Sequence, residues 1–87
     1  MTDQQTVVLD ELWSQVDKLN RNRPDVDDSD ERWRGWFEAH IVVREELLAA
    51  GVPEVRRVPA QIAYFQVKVA EVDAGDWLAT RMGYWNT

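Results

Sequence analysis

Residues Pro59–Gly75 read PAQIAYFQVKVAEVDAG, and whether they form a helix or a strand decides the fold. As a helix, the stretch places Ile62, Phe65, Val69 and Val72 on one face, with Ala63, Val67 and Ala70 beside it. Pro59 suits the first helical position, where its missing N–H costs nothing, and Gly75 is a stop. As a strand, Phe65-Gln66-Val67-Lys68-Val69 alternates strictly, and Asp73-Ala74-Gly75-Asp76 would turn the chain back along Trp77–Trp85 as a hairpin. Four alanines and the proline and glycine boundaries favour the helix, over about 60–74. A short fourth helix then follows over 76–85, capped by Asp76, interrupted at Gly83, and packing Trp77, Leu78 and Met82 inward. The fold class is therefore all-α: a small single-domain bundle of three helices plus a short C-terminal helix. The alternative is α+β, two helices packed on a C-terminal β-hairpin.

The chain before this stretch carries two clearer helical patterns. From about Ser29 to Ala50, Trp33, Trp36, Phe37, His40, Ile41, Arg44, Leu47 and Leu48 follow one another at steps of one to four that keep them on one side of a helix. Gly51 supplies a left-handed stop, Val52 the apolar contact that accompanies it, and Pro53 prevents continuation. From about Thr6 to Asn20, Leu9, Leu12, Trp13, Val16 and Leu19 form one stripe, with acids on the other face. Pro24 pushes Arg23 out of the α region, so residues 21–28 form a loop. The run DVDDSDE at Asp25–Glu31 has the alternating acids of a calcium loop of the EF-hand type. That motif requires Gly at its sixth position and Glu at its twelfth, where this chain has Asp30 and Trp36. Asp28 or Ser29 instead caps the second helix, with Asp28 and Glu31 at capping-box spacing.

Composition narrows the functional classes. The chain has 87 residues, a net charge of −6 and no cysteine, which excludes disulfides, thiolate metal sites and cysteine nucleophiles. Residues 1–31 hold nine acids against three bases, and residues 32–87 hold seven of each, so the whole net charge lies in the first third. Phosphate backbones and anionic lipids repel such a surface, so neither membrane nor nucleic acid is the expected partner. No apolar run approaches a bilayer span or a signal-peptide core, and a cytoplasmic location is expected. Nothing in the chain supplies a phosphate cradle, a zinc-binding helix or a nucleophile elbow. His40 is the only histidine and lies on the apolar side of its helix, with no second ligand for a metal. No enzymatic activity, cofactor or metal is expected.

What remains is recognition by surface. Five of the nine aromatic residues are tryptophan, and Trp and Arg dominate protein–protein hot spots. The expected anchors are Trp33, Trp36, Arg32 and Arg34 at the start of the second helix, and Tyr84 and Trp85 at the tail. Asp25, Asp27, Asp28, Asp30 and Glu31 are expected to steer a partner with a basic patch. The leading expectation is a small, acidic, non-catalytic protein-binding module of inhibitor, adaptor or anti-defence type. A second is a self-associating structural or assembly protein, such as a virion component. A third rests on Ala49–Val58, AAGVPEVRRV, which resembles the turn and recognition-helix start of a helix-turn-helix over ten residues. That resemblance implies nucleic-acid contact through Arg56 and Arg57; Pro59 cuts the would-be recognition helix to about five residues, too short to lie in a major groove.

Overall fold

The computed structural model describes residues 3–53 and 56–77, which form three helices and, among the described residues, no strand. Helix α1 spans Asp3–Arg21, α2 Asp30–Ala49 and α3 Arg57–Asp73. The hairpin alternative is thereby overturned, because Phe65–Val69 lie inside α3. In the helix Val58, Phe65 and Val72 are buried and Ile62 and Val69 half-buried, whereas Val67 is 56% exposed. A strand would have put Phe65, Val67 and Val69 on one face. Packing against α2 selects the three-to-four spacing over the two-residue one.

The helix ends follow local chemistry. Asp3 in the first turn of α1 and Lys18 and Arg21 in its last turn complement the helix dipole. Ser29 is the N-cap of α2, and its hydroxyl accepts the Arg32 N–H at 3.2 Å. Asp28 closes the loop instead, its carboxylate accepting the Asp25 N–H at 2.6 Å. Helices α2 and α3 both end in a Schellman turn with glycine in the left-handed region, Gly51 and Gly75 each at φ 80°. Val52 N–H donates to Leu47 C=O and Gly51 N–H to Leu48 C=O; Asp76 and Gly75 donate to Glu71 and Val72 in the same way. Helix α3 begins two residues before Pro59, which occupies the third helical position. It is tolerated there because first-turn N–H groups have no intrahelical acceptor. Of the expected fourth helix over 76–85, all beyond Trp77 lies outside the described residues.

Helix α2 is the central element, packed against both α1 and α3. Two clusters of buried side chains occupy its two ends. Leu9, Leu12 and Val16 of α1, Val43 and Leu47 of α2, and Val52 and Val58 around the following turn form an aliphatic cluster. Trp33, Trp36 and Phe37 of α2 meet Phe65 and Val72 of α3 and Trp77 in an aromatic cluster. Leu19 packs against both.

Candidate functional site

The indoles expected on the surface at the start of α2 are interior. Trp33 is wholly buried and Trp36 is 9% exposed, so neither can anchor a partner. Their stripe, continued by Phe37 and His40, is the side of α2 that meets α3 and the end of α1. Trp33 packs against Trp77 with ring centroids 5.3 Å apart, and its indole N–H donates to the Asp25 carbonyl at 3.0 Å. Trp36 N–H donates to the Leu19 carbonyl at 2.8 Å, in the last turn of α1. Each ring thus fills core volume and adds a second hydrogen bond to a carbonyl that already accepts a backbone N–H, from Asp28 at Asp25 and from Asn22 at Leu19.

The expected arginines differ from each other. Arg32 is exposed. Arg34 is committed to the fold: its Nε and Nη2 donate to the two carboxylate oxygens of Asp73 at 2.7 and 3.3 Å, and Nη1 to Glu38 at 2.6 Å. This fork ties α2 to the last residue of α3 and holds the Asp73 carboxyl below the usual carboxylate range, through the hydrogen bonds from Arg34 first and its charge second. Asp25, Asp27, Asp30 and Glu31 are exposed and Asp28 is half-buried. Tyr84 and Trp85 lie outside the described residues.

His40 and Arg44 sit where the two clusters meet, 1% and 5% exposed. The imidazole stacks on Phe65 with centroids 4.5 Å apart and meets Trp36 edge-on at 4.4 Å. Arg44 Nη1 donates to His40 Nδ1 at 2.8 Å and to the His40 carbonyl at 3.1 Å. A guanidinium only donates, so Nδ1 is the acceptor and the ring proton of neutral His40 resides on Nε2, which has no hydrogen-bond partner among the described residues. Burial first, and the Arg44 charge second, push the imidazole down to about 4 from 6.5. His40 is thus a neutral core residue at pH 7. Among the described residues no group of three His, Cys, Asp or Glu is placed to hold a metal ion. No described helix is long and apolar enough to cross a membrane.

The open surface lies elsewhere. The seam between α1 and α2 forms a groove of about 440 Å³, with Leu19, Ala39, Val42 and Val43 as its apolar lining and Lys18 and Glu46 among its polar residues. Val42 is 55% exposed. Farther along the same seam, Val8, 41% exposed, lines a second hollow with Gln4, Gln5 and Ala50. Gly35 continues the Ala39–Val42 stripe one turn earlier, and a Cβ built there meets nothing within 4 Å. Leu19 belongs to the apolar stripe expected for α1, and none of the groove residues was expected as a binding residue. The available signal was Val42, an apolar residue off the Trp33–Leu47 stripe, which periodicity alone assigns to an ordinary exposed position.

These features define a three-helix all-α domain with a ring-filled core and an open interhelical seam. No protein-family model, curated protein or solved structure matches the chain.

Proposed function

We propose that this chain is a non-catalytic protein-binding module whose docking surface is the α1–α2 groove, and that its occupant is a basic amphipathic helix of another protein. The observation that carries this reading is the groove itself: an apolar trough bounded by two helices, the shape that receives the apolar face of a helix. The charge of the occupant follows from the elements that carry the groove, whose own lining holds one base, Lys18, and one acid, Glu46. Asp3–Ala49, which builds both walls and the loop joining them, holds twelve acids against six bases, while the rest of the chain is balanced. A second copy would bring like charge onto like charge, which disfavours self-association through this surface. The acidic loop, Asp25–Glu31, steers the encounter, and the valines of the seam hold the docked helix.

The test is site-specific photocross-linking in the native host from position 42 in the groove and, separately, from the exposed position 67 on α3. The expected product is a heteromeric adduct at position 42 alone, mapping to a basic helical segment of the partner. Ala39→Glu should weaken binding to that segment about tenfold or more while leaving the melting temperature unchanged. Adducts only between copies of the chain would overturn the heteromeric reading, and equal labelling from both positions would overturn the groove.

A further inference from the structure

We propose that the cleft beside Arg44, on the opposite flank of α1, binds a carboxylate carried on an apolar or aromatic body. The cleft has a volume of about 410 Å³, within the range of small-ligand sites, and lies between Trp13, Val16, Asp17 and Asn20 of α1 and Arg44, Arg57 and Gln61 across from them. One lining residue, Arg44, is 95% buried as a whole and forms no ion pair with a carboxylate among the described residues. Nε donates to Gln61 Oε1 at 2.8 Å and Nη1 donates to His40, a neutral acceptor, so Nη2 has no acceptor among the described residues. A buried cation with hydrogen bonds but no counter-charge is costly, and an anion entering the cleft removes that cost.

The neighbouring groups set the ligand chemistry. Because Gln61 presents its oxygen to Arg44, its Nε2 is left as a donor for the same anion. Arg57 is also among the lining residues. The planar fork of arginine matches a carboxylate, and Asp17 on the α1 wall disfavours a dianion such as phosphate. Trp13, half-buried, offers a ring face to the body of the ligand. The carboxylate can be that of a free organic acid or the C-terminus of a polypeptide ending in an aromatic residue. This site is separate from the α1–α2 groove and does not rest on the reading of that groove.

The experiment is a nuclear magnetic resonance titration of the ¹⁵N-labelled chain with phenylacetate, phenylacetamide and inorganic phosphate, and with a short peptide ending in phenylalanine as its free acid and as its amide. Phenylacetate or the free-acid peptide should shift the Trp13 indole and Arg44 Nε resonances saturably, with phenylacetamide, the peptide amide and phosphate at least about tenfold weaker. Tighter binding of the peptide acid would identify a polypeptide source, and tighter binding of phenylacetate a free acid; either result upholds the site. Gln61→Glu places a carboxylate beside Arg44 without changing side-chain size, and should reduce acid binding about tenfold or more while the melting temperature holds or rises. No saturable shift with any acid, equal binding of acid and amide, or undiminished binding in Gln61→Glu would overturn the proposal.

Discussion

The two ends of α2 are held in different ways. At the Trp33 end, rings meet rings and the indole N–H groups of Trp33 and Trp36 donate to the carbonyls of Asp25 and Leu19. At the Leu47 end, Leu9, Leu12, Val16, Val43, Val52 and Val58 pack with no directional bond among them, and the Gln5 amide closes that end by donating to the Ala50 carbonyl at 2.9 Å. An aliphatic side chain contributes area and shape, and a neighbour of similar volume can replace it. The Trp33 and Trp36 indoles also bond to acceptors, so they tie down where the backbone passes. The aromatic end therefore positions the acidic loop and the last turn of α1, whereas the aliphatic end supplies bulk burial.

Substitutions that remove one end at a time break this comparison most directly. Trp33→Ala should cost about 4 kcal/mol, against about 3 kcal/mol for Leu12→Ala, measured by urea unfolding of both variants. It should also speed amide exchange through Asp25–Ser29, which Leu12→Ala should leave protected. Equal effects on that loop would show that the indole does not hold it.

A smaller effect separates the ends by pH. As pH falls from 6.5 to about 4, the unfolded chain takes up a proton on its imidazole that folded His40 refuses. The His40 contribution to stability is therefore whole above pH 6.5, declines as pH drops toward 4, and levels off below it. The loss over that window should be no more than about 3 kcal/mol, the full linkage value of a shift from 6.5 to about 4. Comparing the stability–pH slope of the parent with that of His40→Phe isolates this contribution, and identical slopes would refute it. Asp73 acts in the same direction at lower pH: its depressed carboxyl contributes in full above its ordinary value of 3.8, and the contribution is lost as pH falls from there through the lower folded value. Weakest of all is Arg34→Gln, which opens an exposed fork. It should lower the melting temperature slightly at low salt and not at all in concentrated salt, since exposed pairs are screened.

Much of the helical framework was legible because its signals are local. Ser29 as cap, Gly51 with Val52 as stop and the apolar stripe of α1 act within a turn or two of chain, and each takes the expected role. Burial of Trp77 was likewise expected. The choice for Phe65–Val69 depended on more than local preference, since β-branched alternation and alanine content pull in opposite directions there. The anchors at Trp33 and Trp36 were misplaced because a hot-spot preference was set above the helical stripe on which both residues lie. That stripe already pointed inward. The groove was illegible for a different reason: empty space between two helices is a property of neither sequence.

By itself the sequence determined the first two helices, the glycine stops at Gly51 and Gly75, and a net negative charge confined to the first third of the chain, because capping, periodicity and charge are read over a few residues at a time. Only the tertiary structure decided that the Trp33 and Trp36 indoles are interior, that Arg34 is spent on Asp73, and that Arg44 is buried without a counter-charge among the described residues. It also decided that both flanks of α1 stay open. Each of these depends on which distant side chain occupies the neighbouring volume, and burial and pairing are set by that neighbour rather than by the residue's own type.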